Sequence, residues 1–304
     1  MLAADVVTAT GDLVRADADH EPDLFWAIRG GGGNFGVVTR FQYRLHELPG
    51  IVGGMLFLPA TAETVAGFVA AAEAAPEELS TIANVMTCPP MPFVAEEHHG
   101  KLTIMGMLVY AGDAEAGQQA LAPFRALAEP WADLLRPQTY AEMFPPAEGD
   151  YHPIAVARTS FLDRVDREVA ATIVDRLEEQ QRTSGAQAVV AQLRVLGGAM
   201  ARVPGDATAF AHRSSRIMSV IAALVASPDE LPAQEAWVEA LVAELEQSDH
   251  GAYVNFVVDE GPERVRDAYP GATWDRLVAI KDRYDPTNVF RRNQNIVPSG
   301  TSGA

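Results

Sequence analysis

Cysteine occurs once, at Cys88. A lone thiol excludes an internal disulfide framework and any zinc site built on a cysteine cluster. Lysine is confined to Lys101 and Lys281, and all bases together number 23 against 41 acids. A net charge of −18 leaves little to neutralise a phosphate backbone, so no nucleic-acid partner is expected. No apolar run reaches the roughly 18 residues of a membrane span, so no membrane partner is expected either. The opening residues Met1-Leu2-Ala3-Ala4-Asp5 lack a basic stretch ahead of an apolar one. No secretory signal is read there, and a cytoplasmic location is expected. Neither His-Glu-x-x-His nor Gly-x-Ser-x-Gly occurs, which removes the signatures of zincin proteases and α/β-hydrolases.

What is present is a globular composition, 48% hydrophobic over 304 residues, sized for one large domain or two intimate ones. Val6-Val7-Thr8, the turn Thr10-Gly11-Asp12 and Leu13-Val14-Arg15 predict a hairpin. Pro22 to Ile28 predicts a short helix, with proline in its first turn. Four glycines follow, Gly30 to Gly33, and then a strand from Val37 to Leu45. Beyond Pro49-Gly50, apolar strands near residues 51–58, 81–87, 102–110, 154–159, 188–196 and 217–225 alternate with Ala-rich helices near 62–75, 114–128, 164–181 and 232–246. Several neighbouring strands have no helix between them, so the reading is α+β, an antiparallel or mixed sheet covered by helices. Tyr253 to Val258 predicts another strand. Short helices follow around 262–268 and 273–282, and the polar tail from Pro298 is expected to fray.

Five motifs bear on chemistry. Gly31-x-Gly33-x-x-Gly36 spells a dinucleotide fingerprint, but a helix precedes it and a strand follows, the reverse of the Rossmann order. Its glycines still allow backbone N–H groups to approach a phosphate or a flavin closely. Glu96-Glu97-His98-His99 has a metal-like composition, yet it reads better as a polar hairpin tip, and no metal site is expected. His212-Arg213-Ser214-Ser215-Arg216 brings two guanidiniums next to a strand. They either bind an anion or pair with surface acids, the second being the plainer reading. Tyr253-x-Asn255 on a strand places a phenol and an amide on one face, able to bond a heterocycle or move a proton. Tyr284-Asp285-Pro286-x-Asn288 reads as a helix stop with a structural role.

Taken together, four blocks resemble the berberine-bridge-enzyme-like flavin oxidoreductases, in that family's order. They are Asp23-Leu24-Phe25-Trp26-Ala27-Ile28-Arg29-Gly30 through Thr39, Ala209-Phe210-Ala211-His212-Arg213, Ala252-Tyr253-Val254-Asn255-Phe256, and Tyr284 through Ile296. The resemblance implies the end of a vanillyl-alcohol-oxidase-type (VAO/PCMH) FAD-binding domain over residues 1–47. It implies a substrate domain with an antiparallel sheet backed by helices over 48–249. Residues 250–304 would be a berberine-bridge-type segment returning to the FAD domain. The cofactor would be FAD, with its ring between the two domains and substrate over the sheet. Gly33, Asn34, Phe35, Gly36, Val37 and Val38 would offer it backbone contacts, and Tyr253, Asn255, Asn293 and Asn295 would lie on its side of the cleft.

Departures from the family pattern carry their own expectations. In the family, a further part of the FAD domain precedes the segment matching Met1, and it holds the Arg/Gly/Gly/His flavin-attachment block, the partner cysteine and most pyrophosphate contacts. None of the seven histidines here sits in such a block. The chain is therefore expected to be N-terminally truncated and without covalent attachment residues. Many family oxidases carry a proton-accepting Tyr at the position of Phe256; a phenyl ring accepts no proton. Tyr253 is the candidate catalytic residue here, though on a strand it would point away from Phe256. The expected function is an FAD-dependent oxidoreductase taking a hydride from a C–H beside O or N of a small organic substrate, with O2 or another electron acceptor. The alternative is a non-catalytic fragment, or a module binding a small molecule or partner chain without its own flavin. Apolar strand edges left unpaired by truncation would favour self-association.

Overall fold

The computed structural model describes residues 1–48, 50–144, 154–184, 186–257 and 260–300. In chain order the first elements are β1 (Ala3–Val7), β2 (Leu13–Asp17), α1 (Pro22–Ala27) and β3 (Val37–Gln42). Next come β4 (Ile51–Pro59), α2 (Ala62–Glu73), β5 (Leu79–Thr87), β6 (Leu102–Ala111), α3 (Ala114–Arg125), β7 (Ala132–Asp133) and β8 (Arg136–Gln138). Then follow β9 (Ile154–Leu162), α4 (Arg167–Thr183), β10 (Ala188–Val195), α5 (Gly198–Ala201), β11 (Ile217–Val225), α6 (Leu231–Glu244), α7 (Gly261–Asp267) and α8 (Ala272–Tyr284). Two compact units result, one of residues 1–46, 199–214 and 250–304, the other of 47–198 and 215–249. The expected middle segment 48–249 is thus interrupted, because 199–214 packs with the first unit. Trp26 shows why: its indole Nε1 donates to the Asp206 carbonyl at 2.7 Å, and its own carbonyl accepts from Ala209 N.

The first unit holds a three-stranded antiparallel sheet in the order β2-β1-β3. Its core gathers Val6, Leu24, Phe25, Trp26 and Phe35 from the start of the chain with Val254, Tyr269, Leu277, Ile280 and Ile296 from its end. Such long-range burial is what hydrophobic free energy rewards, at about 25 cal/mol per Å2 of apolar surface. The strand expected to reach Leu45 stops at Gln42, and Val37, Phe41, Tyr43 and Leu45 stay exposed.

The second unit is an eight-stranded sheet ordered β7-β4-β6-β5-β10-β11-β9, with β8 also on β4, and every pair is antiparallel. Register divides the strands cleanly between two faces. Leu56, Leu58, Ala83, Val85, Ile104, Leu108, Ala191, Leu193, Ile217 and Ile221 join one core with Phe68 of α2, Phe124 of α3, Ile173 and Leu177 of α4 and Val238 and Leu241 of α6. The helices therefore cover one face. Their starts are fixed locally: Thr61 and Thr64 form a capping box on α2, and Asp113 and Asp166 accept first-turn N–H groups of α3 and α4. The α+β class expected from the sequence is the observed one.

Two further expectations fail. Residues 253–257 form no strand; Val254–Phe256 is a single 3-10 turn closed by Phe256 N on the Tyr253 carbonyl at 2.8 Å. Val258, the last residue of that expected strand, lies outside the described residues. The β-branched and aromatic residues favour a strand only where a neighbour supplies the ladder, and among the described residues no strand pairs with this segment. Nor is the tail loose at its beginning: Pro298 is buried, and Ser299 bonds the Asp282 carboxylate through N at 2.7 Å and Oγ at 2.6 Å.

Candidate flavin-side and substrate-side sites

The glycine run is held from beneath by a buried ammonium. Lys281 of α8 is fully buried, and its Nζ donates to the Asn34 carbonyl at 2.9 Å, the Phe290 carbonyl at 2.8 Å and Asp285 Oδ2 at 2.6 Å. Three protons meet three acceptors, so the charge is fully satisfied. Asp285, equally buried, also accepts the backbone N–H groups of Val289 and Phe290. Burial alone would raise the Asp285 carboxyl. The Lys281 bond and the two N–H groups outweigh that and hold it below the usual carboxylate range. Asn34 completes the junction, donating to the carbonyls of Gly31 and Gln294 and accepting from Ile296 N. The Tyr284-Asp285-Pro286 motif thus has the structural role its residues suggested.

Above this junction the glycines differ in what they do. Gly30, at φ +130°, presses on the backbone of Phe210, where any Cβ would collide with the peptide nitrogen. Gly32, at φ +70°, and Gly33 are exposed, bordered only by the Asn34 and Asn293 amides and the Tyr269 hydroxyl. Gly36 packs on Val6 and Val7 of β1, and Phe35 is buried in the core. Val37 is exposed and Val38 half-buried. Among the expected cofactor contacts, Gly33, next to the equally exposed Gly32, offers open backbone, and the exposed Asn255 and Asn293 offer amide groups. Two polar atoms near this segment are buried without a partner, the Tyr269 hydroxyl and Asn295 Oδ1. Burial pushes the Tyr269 phenol up, so it stays a neutral donor.

Tyr253 and Asn255 do meet, as expected, with Asn255 Nδ2 donating to the Tyr253 hydroxyl oxygen at 2.7 Å. The expectation that Phe256 points elsewhere is wrong. In a 3-10 turn residues three apart eclipse, and the Tyr253 and Phe256 rings lie 5.6 Å apart. Phe210 stands edge-on to Tyr253 at 5.7 Å. The phenol therefore sits in an aromatic cluster beside the position where the family often has its proton acceptor.

In the second unit the helix-free face of the sheet carries a polar chain that the sequence reading missed. Arg194 Nε donates to Gln192 Oε1 at 2.8 Å, Gln192 Nε2 to Asn84 Oδ1 at 2.7 Å, and Asn84 Nδ2 to the Met105 carbonyl at 3.0 Å. Register puts Met55, Met86, Met105, Met107 and Met218 on the same face, half-buried except for Met218. The signal was available, because Gln192 and Arg194 alternate with the buried Ala191 and Leu193, and Asn84 interrupts the apolar run from Ile82 to Met86. At the Glu96–His98 turn, His98 stacks on Trp131 at 4.3 Å and His99 Nε2 meets the Val94 carbonyl. No group of three or more metal-capable side chains exists among the described residues. Burial pushes the Cys88 thiol up, away from reactivity.

Comparison with known proteins defines the class first. The fold matches solved flavin-oxidase structures, among them an Acremonium strictum glucooligosaccharide oxidase at a TM-score of 0.80 and 22% identity, over 98% of this chain and 66% of that one. The family model for berberine and berberine-like proteins matches residues 252–297. Similar curated proteins include (R)-6-hydroxynicotine oxidase of Paenarthrobacter nicotinovorans, 28% identical over 99% of this chain and 66% of its own length. Another is a xylooligosaccharide oxidase of Thermothelomyces thermophilus, 27% identical over 98% of this chain and 63% of its own length. The chain is similar to the berberine-bridge-enzyme-like, FAD-linked oxidoreductases along nearly its whole length. It spans just under two thirds of the length of these relatives.

The residues present fit the family's cofactor. A flavin edge needs close backbone approach and hydrogen-bonding partners; Gly32 and Gly33 bring no Cβ, and the Asn293 amide, the Tyr269 hydroxyl and Asn295 Oδ1 have bonding capacity to spare.

The Lys281–Asp285 pair gives a test of the junction. Lys281→Met strands a buried carboxylate and is expected to lower stability by about 3–5 kcal/mol. Adding Asp285→Leu should recover much of that loss, as urea unfolding would show; a fully additive double variant would mean that the pair is not coupled. The depressed Asp285 contributes stability above the unfolded carboxylate value near ~3.9 and loses it as pH falls through its lower folded value. Acid unfolding in that window should be shallower once Asp285 is replaced.

Proposed function

We propose that this chain serves an FAD-dependent oxidoreductase that removes a hydride from a C–H beside O or N of a small organic substrate. The observation that carries this reading is the collinear match, over nearly the whole chain, to FAD-linked oxidases. FAD, when bound, supplies the two-electron acceptor, to be reoxidised by O2 or another acceptor. Residues 1–47 and 250–304 are read as parts of the FAD-binding domain, with open backbone at Gly33 and amides at Asn255, Asn293 and Asn295 as their contribution. The helix-free face of the eight-stranded sheet is read as the floor for the substrate. Its methionines adapt to an apolar body, and the Asn84–Gln192–Arg194 chain orients polar groups over them.

Proton handling follows from the 3-10 turn. Asn255 occupies a lone pair of the Tyr253 oxygen, which orients the hydroxyl while leaving its own proton free to donate. Phe256 takes no proton. An alcohol substrate therefore needs as its acceptor Tyr253 in the phenolate form, which the Asn255 amide donor would also bond, or a side chain of the sheet face. An amine reacting as the free base needs none.

Three outcomes are expected. Purified protein supplied with FAD should show flavin absorption, and the flavin should stay in the supernatant after acid precipitation; colour pelleted with the denatured chain would contradict the absence of an attachment histidine, and no absorption at all would favour a flavinless binding module. In the flavin-loaded enzyme, Tyr253→Phe should slow flavin reduction by roughly 100-fold or more in stopped flow if the phenol moves the proton. An unchanged rate, together with faster alcohol oxidation in Phe256→Tyr, would move that role to the position of Phe256. Finally, the exposed Val37, Phe41, Tyr43 and Leu45 along and beyond β3 favour self-association. Light scattering should show oligomers that Phe41→Lys disperses; a monomer at high concentration would count against this edge as an interface.

A further inference from the structure

Arg29 and Arg213 remain without a task in the reading above. Arg29 follows α1, with its guanidinium 4.0 Å from the Phe25 ring centroid and its Nε donating to the Phe25 carbonyl at 2.9 Å. Arg213 lies 4.8 Å from the Phe210 centroid, and its Nη2 donates to Thr208 Oγ1 at 2.8 Å. Gly30 presses on the Phe210 backbone, so the neighbour of one arginine meets the main chain of the residue whose ring lies under the other. Both side chains are half-buried, and the Nε of Arg213 is buried with no partner. Burial first, and then the charge of Arg213, push the Arg29 guanidinium down; burial does the same to Arg213.

Neither has a carboxylate partner among the described residues, in a chain with 41 acids. Arg125, Arg158, Arg176, Arg216 and Arg276 each hold one. Two like charges, partly removed from water and close enough to repel, are unfavourable unless something anionic joins them. The donors left over are the two Nη groups of Arg29 and the Nη1 and Nε of Arg213. They are planar forks suited to tetrahedral or planar oxyanions. We propose that Arg29 and Arg213 form a binding site for a phosphate-type oxyanion. Its source is either free phosphate or the phosphate groups of a nucleotide. A dianion balances both guanidiniums at once.

The test uses the full chain and inorganic pyrophosphate, with ionic strength held constant by sodium chloride. Pyrophosphate should raise the melting temperature in a saturable manner. Arg29→Met and Arg213→Met should each weaken that response by at least about tenfold in midpoint concentration, as expected for loss of a charge-assisted bond. Arg213→Lys should keep a weaker response. In phosphate-free, low-salt buffer the Met variants should melt no lower than the parent, because one of two repelling charges is gone. If FAD competes with pyrophosphate while riboflavin does not, the nucleotide's phosphates are the source. If FAD and pyrophosphate bind together, the site takes a free oxyanion. No saturable response, a response that survives in the Arg29→Met/Arg213→Met double variant, or Met variants that unfold without phosphate would overturn the proposal. The last would make the arginines structural.

Discussion

The ammonium of Lys281 joins three stretches of chain that are far apart in sequence: the carbonyl of Asn34 after the glycine run, the carboxylate of Asp285 at the end of α8, and the carbonyl of Phe290 in the last segment. In water each bond would be worth little, because water competes for it. Fully buried, each is costly to leave unmade, so the three hold one another in place. Asn34 repeats the logic with an amide whose donor and acceptor are both used. The exposure of Gly32 and Gly33 depends on this junction, since a glycine run without anchors would have no fixed shape to offer a cofactor. An i,i+4 Lys–Asp pair on a helix surface would contribute only a few tenths of a kcal/mol. The same pair in the core fixes a loop.

A second constraint shapes the other unit. Helices α2, α3, α4 and α6 lie on one face of an antiparallel sheet, and the opposite face is half-buried and furnished with methionines and a hydrogen-bonded amide–guanidinium chain. Antiparallel sheets tolerate such asymmetry, because each strand presents alternate residues to two different environments. Polar groups there come bonded to one another, so the face offers direction as well as contact.

Much of this was legible in the sequence, where local physics and the outcome agree. The hairpin, the long helices and the long apolar strands are set by short-range chemistry. The missing helix between β5 and β6 already implied antiparallel pairing. The glycine run could be denied a Rossmann role because a helix precedes it and a strand follows. Reading failed where a residue's fate depended on distant partners. The Tyr253 segment has strand-forming residues but pairs with no strand among the described residues; it coils into a 3-10 turn and brings Phe256 beside the phenol. The Arg213 motif seemed ready to pair with surface acids, and Arg216 does so with Glu73, while Arg213 stacks on Phe210 without one.

The sequence by itself determined the hairpin, the long strands and helices and the family resemblance, because periodicity and a collinear set of motifs are written along the chain. Only the tertiary structure decided which glycines are open and which are packed, and where the lysine's three bonds go. It also decided that residues 199–214 join the first unit, and that two arginines share a corner with no acid between them. Each of these rests on burial and on contacts between residues scores of positions apart, and the desolvation that gives a buried charge its weight exists only once the chain has closed around it.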